Sequence, residues 1–438
     1  MKNKIHIPAI VIGGGIAGLT AARTLQEKGQ DYLLLERCPT LGGLTRTVEV
    51  GEFCFDYTGH FLHLSRYPTP EDIPFAGLDN SDWVQVCRKS CCFVAEKLIP
   101  APIQYHLGEL PPPILAQCVA SYESRSKASP TEGSSFRDFI VGGFGEGLAD
   151  LFLIPQNEKT MAISLERLSS RAVKRFFPPP DEALIRKGIR RESPDALGYN
   201  AKFWYPRTGG IGHLVRGLAK DLETCKVNQE VAALSLGQKT VTTATGESYQ
   251  WDVLFSSMPL KTLCGISDDQ DLVEMASKLS HSSTVSFNIG LKGELLEQFQ
   301  GVHWVYVPDR AIPFYRVGFY SNIGNGSCSP GHSALYVEVG ALPQDVDRVD
   351  LVNQLQSNVL TWLERLGWID RRNVVCVVLH TIRCAYVHHT IDRDQLVNGI
   401  LERLKRYRVF PIGRYGLWDY TSMEDSIESA RSTVLEVA

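Results

Sequence analysis

The chain has 438 residues, of which 44% are hydrophobic and 11 are cysteine, and it carries a formal net charge of -4 with a pI near 6.3. This length and apolar content predict two or three globular domains, and the weak negative charge argues against a nucleic-acid partner. The cysteines form no Cys-x-x-Cys pair, so neither a disulfide framework nor a metal site is expected. The N-terminus leads directly into a strand and no apolar run of about 18 residues follows, which favours a cytoplasmic protein without a membrane span.

Residues 7–36 predict a strand, a glycine-rich turn, a helix and a second strand. Gly13 permits a tight turn, Gly15 lets a pyrophosphate approach the backbone, and Gly18 lets the helix pack closely on the strand. The second strand ends at Glu36, about 20 residues further on, where a carboxylate binds a ribose hydroxyl. The pattern predicts a dinucleotide site. A glycine-rich turn in an ordinary doubly wound domain is the alternative.

A second glycine pair follows Glu36 within the segment Cys38–Arg46. NAD dehydrogenases seldom need this second loop. The segment resembles the Glu-(x)-Gly-Gly-x-x-(Arg/Ser) run of the amine-oxidase-like flavoproteins, which favours FAD over NAD as the cofactor. The resemblance implies that Arg37, Gly43 and Leu44 also contact FAD.

The predicted fold class is α/β: a Rossmann-type FAD-binding domain with a helical insert and an antiparallel-sheet substrate domain. The predicted segments are FAD-binding residues 1–85, sheet-domain strands 86–107, the helical insert 108–195, FAD-binding residues 196–265, the antiparallel-sheet domain 266–390 and FAD-binding residues 391–438. In the last segment, residues 391–438, the sequence predicts a strand, a glycine turn and the N-terminus of a helix, which together would bind the flavin. The expected FAD contacts in the later segments are Val231, Gly413, Arg414, Tyr420 and Met423.

Several motifs between the two glycine signatures resemble, in order, those of the UDP-galactopyranose mutases, especially the eukaryotic branch. Phe55–His60 resembles the family's Phe/Tyr-Asp-x-Gly-Gly-His segment, and Ile154–Lys159 resembles its Pro-Tyr-Asn-x-Lys segment. Phe203–Gly210 resembles its Phe-Arg-Phe-Pro-x-x-Gly-Gly turn. Tyr386 and Tyr420 resemble its two phosphate-binding tyrosines.

The resemblance implies a non-redox use of reduced FAD. In this family flavin N5 attacks the anomeric carbon of a sugar nucleotide, the nucleoside diphosphate leaves, and the flavin-bound sugar opens and recloses with a different ring size. His60 beside the isoalloxazine and Arg316 on the departing pyrophosphate are the implied catalytic residues, and Gly59 is an implied FAD contact. NADPH is a candidate reductant. The implied substrate-binding residues are Gln104, Asn157, Trp204, Trp304, Tyr306, Tyr315, Asn322, Tyr386 and Tyr420.

One departure from the family pattern concerns the charge of the pocket. Trp204 stands where the mutases carry a second pocket arginine. A charge-assisted arginine–phosphate contact contributes about 1.5–3 kcal/mol, so its loss either weakens nucleotide binding or indicates a substrate with less negative charge. Arg207 and Arg383 are the candidates to compensate.

Alternatives remain open at this point. A true oxidoreductase would take hydride from a C–N or C–C unit to oxidised FAD, and a flavin-holding scaffold would have no reaction. Arg316 pairing with Glu338 on an adjacent strand is the structural alternative to a phosphate contact. His388 and His389 are expected to be a solvated pair rather than a metal site. The sugar, the base, the flavin reductant and the oligomeric state do not follow from the sequence.

Overall fold

The computed structural model of the chain describes residues 5–126, 133–170, 180–192, 201–324 and 326–438. Residues 127–132, 171–179 and 193–195 of the predicted helical insert lie outside them. No helix in the described ranges is long and apolar enough to cross a membrane.

Runs of strands and runs of helices follow one another along the chain. The strands are β1 Ile5–Ile12, β2 Tyr32–Leu35, β3 Thr47–Val50, β4 Phe53–Asp56, β5 Trp83–Cys87, β6 Ser90–Val94, β7 Lys97–Pro100, β8 Lys202–Pro206, β9 Cys225–Lys226, β10 Val231–Ser235, β11 Thr240–Thr243, β12 Ser248–Ser256, β13 His281–Lys292, β14 Trp304–Tyr306, β15 Arg316–Phe319, β16 His332–Ala341, β17 Val374–Val387 and β18 Val409–Pro411. The helices are α1 Ile16–Glu27, α2 Pro112–Ser124, α3 Phe136–Phe144, α4 Glu146–Leu148, α5 Ile154–Met161, α6 Glu182–Ile189, α7 Gly212–Ala219, α8 Leu260–Gly265, α9 Gln270–Ser277, α10 Val349–Arg365, α11 Arg393–Arg406, α12 Gly413–Gly416 and α13 Met423–Val437.

The first sheet gathers strands from the start, the middle and the end of the chain. Its order is β10-β11-β12-β1-β2-β9, and β18 pairs with β12. β1 is parallel to β2 and to β12, and β18 is parallel to β12, so their carboxyl ends meet at one edge of the sheet. Near-continuous apolar runs such as Tyr32–Leu35 are buried on both faces, as parallel strands require. Helices α1 and α13 share one core with this sheet.

The second sheet has the order β17-β13-β16-β15-β14-β6-β7. Its pairs are antiparallel except β6 with β14, which run parallel. Helix α10 packs on it through Val352, Val359 and Leu363, in one core with Phe287 and Val317. Strand β5 pairs with β8 outside both large sheets. The predicted α/β fold class, a Rossmann-type domain beside an antiparallel sheet, is confirmed.

Glu424 joins α13 to the chain that follows His60. Its carboxylate accepts hydrogen bonds from the backbone N–H groups of Ser65 at 2.9 Å, Arg66 at 2.7 Å and Tyr67 at 3.0 Å, and from the Ser65 hydroxyl at 2.7 Å. Burial alone would raise the pKa of Glu424, but these donors outweigh burial and lower the pKa below its ordinary value.

We expect Glu424→Ala to lower the free energy of unfolding by about 2 kcal/mol or more, because three backbone donors lose a charged acceptor that is itself buried. Glu428→Ala is the matched control, since Glu428 accepts a single bond from the Tyr67 hydroxyl at 2.7 Å. Urea denaturation of both variants measures the difference. The lowered pKa of Glu424 makes its contribution present above the unfolded-state pKa and lost as the pH falls through the folded-state pKa. Equal losses in the two variants would contradict the anchoring role.

Candidate functional site

The glycine-rich turn of Gly13, Gly15 and Gly18, called the glycine cradle below, lies at the carboxyl end of β1. Gly13 has a φ of +96°, and a Cβ at Gly18 would lie 1.8 Å from the Gly13 carbonyl oxygen, so only glycine lets α1 begin this close to the strand. Gly15, the N-cap residue of α1, provides no side-chain cap, and the first turn of the helix contains no acidic residue. The first N–H groups of α1 are therefore available to an anion such as a pyrophosphate.

The second glycine pair packs directly on the first. The Gly42 N–H donates to the Gly14 carbonyl at 2.6 Å, and a Cβ on Gly43 would lie 3.0 Å from the Gly15 Cα. Glu36 holds the edge of the cradle, because its carboxylate accepts from the N–H groups of Gly14 at 2.5 Å and Cys38 at 2.8 Å. The close packing of these two glycine turns is suited to binding a dinucleotide cofactor. Among the other predicted FAD contacts nearby, Arg37 is exposed, Leu44 is half-buried and Val231 is buried.

The C-terminal glycine turn reaches the same helix N-terminus. Gly413 has a φ of +68°, and a Cβ there would lie 2.6 Å from the Cβ of Ala17 in the first turn of α1. Arg414 donates to the Thr421 carbonyl at 3.0 Å, just before half-buried Met423 begins α13. The two ends of the chain thus form one site, although they are almost the whole sequence apart.

His60 follows β4 and is half-buried. Burial, with the nearby Arg316 and Arg414 guanidinium groups, lowers the pKa of His60 to about 4, so the imidazole is neutral at physiological pH. Its Nδ1 is buried and has no hydrogen-bond partner among the described residues. A buried polar atom without a partner indicates a position for a polar ligand group, and a flavin ring edge supplies such groups. The residues present therefore fit FAD.

An aromatic stack forms around Phe61, the residue after His60. Phe61 stacks on Trp304 with ring centres 5.3 Å apart and on Phe203 at 4.6 Å. Trp304 is only 2% exposed, so it supports the site from the core instead of forming a pocket surface. Gly59 lies against Tyr336, whose hydroxyl oxygen would be 2.1 Å from a Cβ at position 59.

Arg316 forms a buried ion pair across adjacent strands. It lies opposite Glu338 in the β15–β16 register, and its Nε and Nη2 donate to the two carboxylate oxygens at 2.5 Å and 2.8 Å. The Thr58 hydroxyl also donates to Glu338. Burial opposes the charge, but the Glu338 carboxylate outweighs burial and raises the pKa of Arg316 above its ordinary value. The structural alternative for Arg316 is therefore present, and its guanidinium has a fixed counter-charge.

Three tyrosine rings surround Arg414. The guanidinium carbon lies 5.9 Å from the ring centres of Tyr386 and Tyr415 and 5.2 Å from that of Tyr420. The Tyr420 hydroxyl donates to the Val387 carbonyl at 2.5 Å. A phosphate could receive a hydrogen bond from Tyr420 only after that bond breaks.

The expectation of a solvated histidine pair is wrong. His388 is 3% exposed, and its ring nitrogens contact the Met161 carbonyl at 2.8 Å and the Ser280 hydroxyl at 3.0 Å. His389 stacks on Tyr420 with ring centres 4.7 Å apart, and its Nε2 lies 3.3 Å from Asp419 Oδ1.

The remaining predicted substrate residues divide into three groups. Half-buried Tyr306 faces Arg316 in the β14–β15 register, and half-buried Trp204 pairs through its backbone with Leu62, two residues after His60. The side-chain amides of the two asparagines instead donate to backbone carbonyls: Asn157 to Leu153 at 2.7 Å, and Asn322 to Phe299 at 2.7 Å and Val302 at 2.5 Å. Gln104 and Tyr315 are buried.

The two arginines considered as replacements for the missing pocket cation have other partners. Arg207 is exposed and donates to the Ser81 carbonyl at 2.9 Å. Arg383 is exposed and pairs with Asp347. Neither supports compensation for Trp204.

Asp56, the last residue of β4, is a buried acid four residues before His60. Its carboxylate accepts from the Thr47 hydroxyl at 2.6 Å, the Tyr205 hydroxyl at 2.7 Å and the Ile211 N–H at 3.0 Å. Burial raises the pKa of Asp56 to about 6 despite these three donors. The residue therefore ties β3, β4 and the turn before α7 together just ahead of His60.

Asp56→Asn is expected to remove a pH dependence of stability. The folded-state pKa of about 6 lies above the unfolded-state pKa, so the contribution of Asp56 is largest below the unfolded pKa and is lost as the pH rises through the folded one. Wild type should lose about 2–3 kcal/mol relative to the variant between about pH 4 and pH 7. Urea denaturation across this range provides the measurement, and parallel pH curves for the two proteins would contradict the expectation.

Comparisons with known proteins agree with this geometry. A profile of the NAD(P)-binding Rossmann-like domain matches residues 11–72. Polyamine oxidase 2 from Arabidopsis thaliana is 23% identical over 386 residues, which span 80% of this chain and 70% of that protein. Pseudooxynicotine dehydrogenase from a Pseudomonas species is 32% identical over 84 residues, 19% of this chain and 17% of that protein.

Solved structures extend the similarity to the whole chain. A reduced UDP-galactopyranose mutase superposes with a TM-score of 0.89 at 25% identity, covering 99% of this chain and 96% of that one. Cyclohexylamine oxidase from Brevibacterium oxydans IH-35A shares the fold at a TM-score of 0.65 and 12% identity, covering 98% of each chain. The chain therefore resembles UDP-galactopyranose mutase over almost its whole length, and it has the same fold as cyclohexylamine oxidase.

Proposed function

We propose that the protein is a flavoenzyme that breaks and re-forms the anomeric C–O bond of a glycosyl phosphate donor, with pyranose–furanose ring isomerisation as its net reaction. When bound in its reduced form, FAD would supply the nucleophile. The glycine cradle of Gly13, Gly15 and Gly18, with Glu36, would bind the dinucleotide. The C-terminal glycine turn at Gly413 would contact it from the other end of the chain.

One observation carries the proposal: two guanidinium groups lie near His60 and Tyr386. The Arg414 guanidinium carbon is 5.9 Å from the Tyr386 ring centre, and Arg316 lies opposite Tyr306 in the β14–β15 register. After burial, the charges of both arginines lower the pKa of His60. Donors fixed where negative charge develops stabilise a leaving phosphate, because they need no reorganisation during bond cleavage. Neutral His60 would orient the reacting partners through its Nδ1 without carrying a charge into the site.

Product analysis under anaerobic conditions tests the proposal. The purified holoenzyme, oxidised or reduced with dithionite, is incubated with UDP-galactopyranose and other sugar nucleotides. Ring-isomerised product from the reduced enzyme alone is the expected result. Absence of isomerisation in both states, with flavin bound, would contradict it. NADPH is the proposed physiological reductant, and stopped-flow bleaching of the flavin by NADPH tests that assignment.

A second candidate function is oxidation of a small molecule by oxidised FAD. The neutralised Arg316 and the apolar Trp204 favour it, because both reduce the positive charge that a nucleotide would need. Bleaching of oxidised flavin by an amine substrate under anaerobic conditions, with oxygen consumption in air, would support oxidation over isomerisation.

Trp204→Arg tests how far this position limits nucleotide binding. A new guanidinium beside the His60 segment should tighten binding of UDP by about tenfold or more, because a charge-assisted contact to phosphate contributes about 1.5–3 kcal/mol. Trp204→Leu is the control, since it removes the ring without adding charge. Titrations of flavin absorbance with UDP give the affinities. Equal affinity in the arginine and leucine variants would show that position 204 does not face the phosphates.

A further inference from the structure

The β14–β15 connection, residues 307–315, carries a residue of the proposed substrate site at each end. β14 ends at Tyr306 and β15 begins at Arg316, and these two residues pair in the register of the strands. We propose that Lys159 of α5 is a positioning residue that fixes the β14–β15 connection, and with it the placement of Tyr306 and Arg316 against the phosphates of the donor. The inference rests on the proposed function and adds a residue that does not itself contact the ligand.

The Lys159 ammonium binds both limbs of the connection. Its Nζ donates to the carbonyl oxygens of Val307 at 2.6 Å and Asp309 at 2.8 Å on the outgoing limb. It also donates to the Phe314 carbonyl oxygen at 2.5 Å on the returning limb. Val307 and Phe314 are fully buried, and the turn at 310–311 between the limbs is exposed. One nitrogen atom therefore holds the two limbs together.

These three bonds leave Lys159 no donor for a ligand. A protonated lysine has three N–H groups and no acceptor, and three carbonyl oxygens use all three groups. A phosphate could bind Lys159 only after one of these bonds breaks. The geometry therefore assigns the residue to the support of the site and not to its surface.

Helix α5 provides a fixed base for the lysine. The helix packs on β16 so closely that a Cβ at Gly340 would lie 1.9 Å from the Lys159 carbonyl oxygen. The next carbonyl along α5, that of Thr160, accepts from the Ser282 hydroxyl on β13 at 3.2 Å. The last turn of α5 is thus attached to the second sheet, and the ammonium transfers this fixed position to the β14–β15 connection.

Two other residues of α5 contact the connection less extensively. Gln156 Nε2 donates to the Tyr315 carbonyl at 3.0 Å, which is on the returning limb alone. Glu158 pairs with Arg310 at 2.5 Å, and the arginine side chain is 61% exposed. An exposed ion pair adds little to the rigidity of a loop. Lys159 is therefore the main link, and Arg310 offers a matched control.

Lys159→Met tests the inference, because it keeps an unbranched side chain and removes all three bonds. We expect faster amide hydrogen exchange in residues 307–315 of the holoenzyme and about tenfold weaker binding of UDP, with the flavin content of wild type. Arg310→Met should stay within about twofold of wild type in both measurements. Mass spectrometry gives the exchange, and flavin absorbance reports UDP binding. Both are measured at about pH 6, because burial lowers the pKa of Lys159 to about 7 and only the protonated form has three donors.

Unchanged exchange in folded Lys159→Met would overturn the inference. Faster exchange with wild-type affinity for UDP would overturn it as well, and so would equal changes in Arg310→Met. If Lys159→Met does not fold, Lys159→Gln decides by the same measurements, since its amide keeps N–H donors on a shorter side chain. Failure of the wild-type enzyme to bind UDP would count against the proposed function, and the exchange of residues 307–315 would then decide whether Lys159 fixes the connection.

Discussion

Gly18→Ala is expected to yield a protein that retains no FAD and is destabilised by about 3 kcal/mol or more. The added Cβ would lie 1.8 Å from the Gly13 carbonyl oxygen, so either α1 or the turn must move. Such a movement also withdraws the helix N-terminus from the pyrophosphate. The ratio of flavin to protein absorbance measures cofactor content, and urea denaturation measures stability.

Gly265→Ala is the matched control for this substitution. Gly265 also lies in a helix, and a Cβ there would meet nothing within 4 Å. Its expected effect is within about 1 kcal/mol of wild type, with full flavin content. Normal flavin content in Gly18→Ala would contradict the assignment of this turn as the dinucleotide cradle.

Arg316→Ala is expected to abolish activity and to lower the free energy of unfolding by about 3–5 kcal/mol, because Glu338 would remain buried without its counter-ion. The double variant Arg316→Met with Glu338→Leu should recover most of the stability, since no uncompensated charge is left. It should stay inactive. This pair of measurements separates the structural part of Arg316 from its proposed role on the phosphate. Activity in the double variant would remove Arg316 from the reaction.

Local backbone sterics made the cofactor half of the site predictable. Any chain that places a helix close to the preceding strand needs a residue that permits a tight turn and a residue without a side chain at the contact. Gly13 and Gly18 meet these two needs, so their spacing alone indicates the turn. The tail turn at Gly413 was predictable for the same reason. Its contact with Ala17 was not, because that contact depends on how α13 packs against α1.

The substrate half of the site depends on contacts between distant segments. The sequence offered two partners for Arg316, a phosphate and Glu338, and only the register of β15 with β16 decides that the carboxylate is within reach. Thr58 reaches the same carboxylate from 280 positions away. His388 looked like a surface residue, yet it is buried because β17 carries it against the Met161 carbonyl. No local pattern encodes these contacts.

The proposed reaction breaks the anomeric C–O bond of a glycosyl phosphate on the reduced enzyme without net redox change. Positional isotope exchange detects this bond cleavage, with ¹⁸O placed in the bridging anomeric oxygen of UDP-galactopyranose. We expect the label to scramble into the non-bridging phosphate oxygens with dithionite-reduced enzyme and to stay in place with oxidised enzyme. A label that stays in place with reduced, flavin-loaded enzyme would show that this bond does not break.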